Sequence, residues 1–271
     1  MSGWLVACDL DQTLLYSRRS FRLRPGQAVP DTVVVEHLDG APAAFVTRRA
    51  AGLLAQLAAV ATVVPVTTRT LEQYGRIRLG IPARFAVAAN GGHLLVDGAP
   101  DAVWAAAVRR RVQESSRPLA DVLAAARRLA APGWARVVRV ADGLFVYLVA
   151  HERAGIPTEA VDQLAADLAG VGWTVSVQGR KVYLVPATLT KTAALEEVRA
   201  RTGGARVAAA GDSVLDREML ARADIAVLPR HGELYNQGWT SPQVRLTRSA
   251  GLLAGEEVLE ALLAACRPPG P

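Results

Sequence analysis

The chain opens with a nearly continuous apolar run, WLVACDL at 4–10, of the kind that forms a strand covered on both faces in a parallel sheet. Apolar positions at helical spacing then predict a helix over 48–59, followed by a β-branched strand over 62–67, a helix over 70–79 and a strand over 85–89. This βαβ alternation predicts a doubly wound, Rossmann-like parallel sheet of the α/β class. Between the first strand and the first helix, VVVEHLDGAPAAFV sets two β-prone runs around Asp39-Gly40 and predicts a hairpin flap. From about 98 the rhythm changes: helices over 101–113 and 118–130 lead into a hairpin turning at Asp142-Gly143, and a helix over 157–169 into a second hairpin turning near Gln178-Gly179. Hairpins with helices on one face read as an inserted α+β domain over 98–187. After 188 the first pattern resumes, with a helix over 190–202, the strand ARVAAAG, a helix over 214–222, the strand DIAVLP and a closing amphipathic helix over 251–265. The core is therefore expected to comprise 1–97 and 188–271.

Composition narrows the picture. With 271 residues, 51% hydrophobic and 21% charged, the chain can bury an ordinary core and is not disordered as a whole. The stretch 50–68 carries no charge and is long enough to cross a bilayer, but Pro65 and the switch from alanine-rich to β-branched residues split it into helix and strand. No membrane partner is expected. Cys8 and Cys266 stand at opposite ends, and no basic leader region follows Met1, so a disulfide framework and a secretory signal are not read and the cytoplasm is the expected compartment. The formal charge of +6 permits a polyanion partner, yet 29 of the 31 basic residues are arginine, spread along the whole chain. That distribution reads as a composition bias, and nucleic acid is not the expected ligand.

Four signals carry the chemistry. The first strand ends in Asp9-Leu10-Asp11-Gln12-Thr13; strand alternation leans Asp9 and Asp11 to one side, at the carboxyl end where open parallel sheets bind ligands. Two carboxylates sharing a crevice repel unless a divalent cation or a protonated acid belongs there. Thr67 ends the next core strand and offers a hydroxyl and backbone N–H groups to an anion; alternatively it caps the following helix. Lys191 starts a helix, where its charge opposes the macrodipole, in a chain whose one other lysine is Lys181. A cation that neutralises a carboxylate and a phosphoryl oxygen explains that placement. The fourth signal is Gly211-Asp212-Ser213-Val214-Leu215-Asp216 after a buried strand; Ser213 and Asp216 also resemble a capping box. Asp9, Asp212 and a backbone carbonyl form a donor set suited to Mg²⁺.

In this order the motifs resemble those of the haloacid dehalogenase-like phosphohydrolases: DxDxT, a threonine or serine ending the second strand, a lysine, and GDxxxD. The resemblance extends over nearly the whole chain, takes in Asn90-Gly91-Gly92, and likens the insertion and the approach VPATLTKTAAL to the C2-type cap of the sucrose-phosphatase and Cof-like branch. It implies a Mg²⁺-dependent phosphatase acting on a small phosphorylated metabolite, a sugar phosphate among the candidates. Asp9 is then the nucleophile, Asp11 the acid and base, and Thr67 and Lys191 the groups that bind the transferring oxygens. Asp9, the Asp11 carbonyl and Asp212 would hold the metal, with Asp216 supporting its shell or orienting Lys191. Thr68, Arg69, Asn90 and Gly91 are the implied substrate contacts of the core, and Arg180 and Lys181 those of the cap. Asp11 argues against a dehalogenase, whose halide leaving group needs no acid. Gln12 stands where this branch commonly has glycine, and Leu215 where it often has asparagine. His231 and the arginines at 18, 19, 22 and 24 are further candidates for substrate contact. A phosphomutase of the same superfamily and a non-catalytic, arginine-rich polyanion-binding protein are the alternative readings.

Overall fold

A computed structural model describes residues 3–267. The chain begins with β1 (Trp4–Asp9), then a flap of β2 (Thr32–Leu38) and β3 (Ala41–Thr47), helix α1 (Arg48–Val60), β4 (Thr62–Val66), the short α2 (Leu71–Tyr74) and β5 (Phe85–Ala88). Two strands, β6 (His93–Val96) and β7 (Ala99–Pro100), lead to helices α3 (Ala102–Ser115) and α4 (Leu119–Ala130). Next come the hairpin β8 (Ala135–Ala141) and β9 (Phe145–Ala150), helix α5 (Thr158–Ala169), and the hairpin β10 (Trp173–Gln178) and β11 (Lys181–Pro186). The chain then forms α6 (Lys191–Arg201), β12 (Arg206–Ala210), α7 (Arg217–Arg222), β13 (Ile225–Leu228), α8 (Glu233–Asn236), β14 (Val244–Leu246) and α9 (Leu252–Cys266).

The large sheet runs β14-β13-β12-β1-β4-β5-β6-β7. It is parallel from β14 through β5, and β6 and β7 turn back antiparallel. The apolar run of β1 divides by alternation: Leu5 and Ala7 pack into one core, Val6 and Cys8 into another built with α1 and α9. A second sheet, ordered β10-β11-β9-β8 and wholly antiparallel, carries α4 and α5 and gives the α+β insertion, while α3 packs against β6. Asp39 and Gly40 both take positive φ at the flap turn, as that dipeptide requires. No helix of the described residues is long and apolar enough to cross a membrane, and the uncharged stretch divides into α1 and β4.

Three sequence expectations need correction. The helix over 70–79 shrinks to α2, because the chain beyond Gly75 is recruited by the flap: the Arg78 N–H donates to the Val35 carbonyl at 2.8 Å. The pattern predicts no reversal after β5, yet β5 and β6 form a hairpin, because Ala89, Asn90 and Gly91 all take positive φ and only the glycine signals it. The helix over 214–222 starts as a 3₁₀ turn, Val214–Asp216, and α7 follows from Arg217.

Candidate active site

Parallel register assembles the site. Cys8 pairs with Ala210 of β12 and Asp9 with Val66 of β4, so Asp9, Thr67 and the Gly211-Asp212 turn all lie at the carboxyl edge of three adjacent strands. Lys191, at the N-terminus of α6, reaches across with a buried ammonium. Its Nζ donates to Asp9 Oδ1 at 2.5 Å and to Asp216 Oδ1 at 2.6 Å. The other Asp216 oxygen accepts from the Asp212 N–H, the Ser213 N–H and the Ser213 hydroxyl, so the capping box and the lysine contact are two ends of one carboxylate. A capped helix terminus therefore fixes the partner of the buried lysine.

The charges do not balance within this group. Asp9, Asp212 and Asp216 are buried, each offers an oxygen within 4.8 Å of the others', and Lys191 is the single cation in contact with them among the described residues. No hydrogen-bond donor of the described residues reaches the Asp212 carboxylate. Burial pushes the Asp9 carboxyl up to about 7, Lys191 opposing the rise and Asp216 adding to it. Asp212 is raised well above the ordinary carboxylate range by burial and then by Asp9 and Asp216. Burial alone would favour neutral Lys191, but Asp216 and Asp9 hold it protonated above the usual lysine range. A buried cluster short of positive charge and built of hard oxygen donors fits a divalent cation such as Mg²⁺.

Asp11 stands apart from this cluster. Strand alternation ends with β1 at Asp9, and the Asp11 carboxylate, 46% exposed, turns to Arg69, which donates from Nε at 2.7 Å and from Nη2 at 2.8 Å. Partial desolvation works to raise the Asp11 carboxyl, and the Arg69 guanidinium outweighs it and holds the group down at about 2. Arg69 also pairs with buried Glu36 of the flap at 2.8 Å. The expectation that alternation leans Asp9 and Asp11 to one side of the crevice is therefore corrected: the Asp11 side chain turns to the crevice mouth. Arg69, expected as a substrate contact, here binds the candidate acid.

Thr67 is buried, its hydroxyl accepts from the Arg69 N–H at 3.1 Å, and the helix-cap role falls instead to Thr70 of α2. Thr68 meets the insertion, with its hydroxyl 3.5 Å from that of Tyr183. Asn90 and Gly91, expected as substrate contacts, lie against the lysine loop. Buried Asn90 donates from Nδ2 to the Leu189 carbonyl at 2.7 Å, and the Gly91 carbonyl accepts from the Trp104 indole at 2.9 Å. A Cβ at Gly91, where φ is +102°, would lie 2.2 Å from the Thr190 carbonyl oxygen, immediately before Lys191. Gly91→Ala is expected to cost roughly 2–5 kcal/mol through backbone strain and overpacking, lowering the melting temperature by several degrees in a thermal melt followed by circular dichroism. An unchanged melt would show that the loop relaxes freely.

His231 supports the motif loop from below. Its Nδ1 accepts from the Gly251 N–H at 3.0 Å, so Nε2 carries the proton and donates to the Gln12 carbonyl at 2.9 Å. Burial lowers its pKa to about 4, which keeps that neutral tautomer. The hydrogen bond braces Gln12, whose φ of +64° is one that glycine adopts freely and a larger side chain does not. Arg22 reaches the Gln12 side chain at 3.4 Å, whereas Arg18 stacks on Phe45 of the flap, 4.8 Å from its ring centroid. Arg180 and Lys181 stand at the tip of the β10–β11 hairpin facing the crevice; Arg180 donates to the His151 carbonyl at 3.2 Å.

Two acids that join core and insertion were missed. Glu233, which starts α8, accepts from Ser176 Oγ at 3.1 Å and the Val177 N–H at 3.3 Å in the insertion, and from the Val214 N–H at 3.2 Å in the core. Asp142, at the β8–β9 turn, accepts from the Leu71 N–H at 2.9 Å and lies 3.2 Å from His93 Nε2. Asp142 was legible only as a turn residue, and nothing near Glu233 in the sequence points to a partner 57 residues away.

An α/β core with an antiparallel insertion over the carboxyl edge of its sheet, and an Asp-Lys-Asp centre beneath, is the arrangement of the haloacid dehalogenase-like fold. The similar solved structures include the sucrose-phosphatase of Synechocystis sp. PCC6803 in complex with sucrose and phosphate: 16% identity, 98% of each chain covered, TM-score 0.66. The C-terminal domain of the C. albicans trehalose-6-phosphate phosphatase is similar at 10% identity, over 97% of this chain and 93% of that one, with a TM-score of 0.61. A haloacid dehalogenase-like hydrolase from B. subtilis matches at 17% identity, over 96% and 98%, with a TM-score of 0.57. No protein-family model and no curated protein matches the sequence. At these identities the likeness shows the fold, and this chain has it.

Proposed function

We propose that the protein is a Mg²⁺-dependent phosphatase, acting in the cytoplasm on a small phosphorylated metabolite, with the insertion between the core strand β7 and helix α6 as the cap over its crevice. The observation that carries this reading is the buried Asp9–Lys191–Asp216 chain with Asp212 beside it and Asp11 at the crevice mouth. The similarity to the sucrose-phosphatase and to the trehalose-6-phosphate phosphatase domain supports the substrate class.

The carboxylate of Asp9 attacks phosphorus in line with the leaving alcohol oxygen; an aspartyl-phosphate forms as the ester P–O bond breaks. Asp11, protonated once it leaves Arg69, gives that proton to the departing oxygen, then takes one from the water that attacks the aspartyl-phosphate, releasing orthophosphate and restoring Asp9. Donation requires the Asp11–Arg69 bond to open, and Glu36 offers Arg69 its other partner. Lys191 and the Thr67 hydroxyl bind the transferring oxygens, and Asp216 keeps Lys191 aimed at Asp9. Asp9, Asp212 and the Asp11 carbonyl would hold Mg²⁺, whose charge, when bound, offsets that of the phosphoryl group.

Phosphate release from a panel of phosphomonoesters is the test. Release that appears with Mg²⁺ and disappears with EDTA is expected, and so is a Mg²⁺-dependent rise in melting temperature at pH 8, since a ligand at 100 times its Kd stabilises by about 2.7 kcal/mol. Transfer to a second hydroxyl in place of release, with a bisphosphate activator, would identify a mutase. Steep salt-dependent polyanion binding without release would identify a binding protein.

A further inference from the structure

Next to Asp11, on the side away from the buried cluster, the crevice opens into a cavity of about 290 Å³ whose wall includes Arg19 and Ser20 from the segment after β1 and Arg180, Lys181 and Tyr183 from the insertion. Its charge is one-sided. Asp11 is the one acid on the wall, and it is already bound in bidentate fashion by Arg69. None of Arg19, Arg180 and Lys181 forms a salt bridge with a carboxylate of the described residues. Lys181 is the only lysine besides Lys191, and its ammonium lies 5.8 Å from the ring centroids of both Tyr147 and Tyr183. Two aromatic faces hold the cation at the cavity wall and replace part of its lost hydration, but supply no counter-charge. Asp11 attracts this ammonium from across the wall but is committed to Arg69, so an anion carried by a ligand would supply the contact partner that the partly desolvated cation lacks. The cavity on the other side of Gln12 differs: Asp212 and Glu233 stand there against Arg22 and Arg153, so its charges are mixed.

Because Asp11 is the group that protonates the leaving oxygen, the cavity beyond it receives the alcohol part of the ester. We propose that the site selects phosphomonoesters whose alcohol part bears an anionic group of its own, a carboxylate or a second phosphate, bound by Lys181 with Arg19 and Arg180. The proposal rests on the phosphatase reading and specifies its substrate class.

Two matched pairs test it: glycerol 3-phosphate against 3-phosphoglycerate, and fructose 6-phosphate against fructose 1,6-bisphosphate, with Mg²⁺-dependent phosphate release as the readout. The wild type is expected to favour the anionic member of at least one pair by about tenfold or more in kcat/KM, the scale of one charge-assisted contact. The pair that shows it distinguishes carboxylate from phosphate. Lys181→Met should bring that ratio close to one and Lys181→Arg should retain most of it, with circular dichroism confirming that both variants are folded. Ratios of one or below for both pairs in the wild type, or a ratio unmoved by Lys181→Met, overturn the proposal while leaving a phosphatase. If no ester is hydrolysed, the phosphatase reading fails, and calorimetry of the same compounds with Asp9→Asn decides the pocket alone. Tighter binding of the anionic members supports it, and equal or absent binding overturns it.

Discussion

Asp9→Asn is expected to reduce phosphate release by at least about 10⁴-fold, the scale seen when a nucleophile that acts within a catalytic unit is removed. The amide keeps the size and one hydrogen-bond acceptor for Lys191 but cannot form the aspartyl-phosphate. Stability should move the other way. The folded-state pKa of Asp9, up to about 7, lies above its ordinary value of 3.8, so ionising this carboxyl in the metal-free protein costs free energy as the pH rises through that interval. The neutral amide escapes the cost. In EDTA at pH 8 the variant should therefore melt no lower than the wild type, and the two should converge near pH 4, where Asp9 is largely protonated. Turnover comparable with the wild type would remove Asp9 from the mechanism, and a collapse of the melting temperature at pH 8 would show that the carboxylate is a structural ion-pair partner.

Lys191→Met carries the second large effect, and here activity and stability fall together. The variant leaves Asp9 and Asp216 buried without their shared cation, a change of the kind that costs about 3–5 kcal/mol. The loss should be largest near pH 8, with the acids ionised, and smaller near pH 5, where a carboxyl can take up a proton in place of the missing ammonium. Melts at the two pH values measure the difference. Phosphate release should fall by a further factor of about 10²–10³ in the protein that remains folded, as expected on losing a preorganised cation at the transferring group. Equal destabilisation at both pH values would mean that packing, and not charge, is what the lysine supplies.

The sequence by itself settled the elements whose determinants are local. The two-faced apolar run of β1, the Asp39-Gly40 and Asp142-Gly143 turns, the change from βαβ rhythm to hairpins, and the chemical character of Asp9, Lys191, Asp212 and Asp216 were all legible, because alternation, turn chemistry and a misplaced lysine leave marks within a few residues. Tertiary structure alone decided how those groups share their charge. That Asp216 spends one oxygen on a cap and the other on Lys191, that Arg69 captures Asp11, and that Asn90, Gly91 and His231 brace loops depend on contacts between segments up to 219 residues apart. The short α2 and the Glu233 bridge have the same origin. Partners for buried polar groups are chosen by the strands, turns and helix ends that the fold brings to one edge of the sheet, and no spacing along the chain encodes that choice.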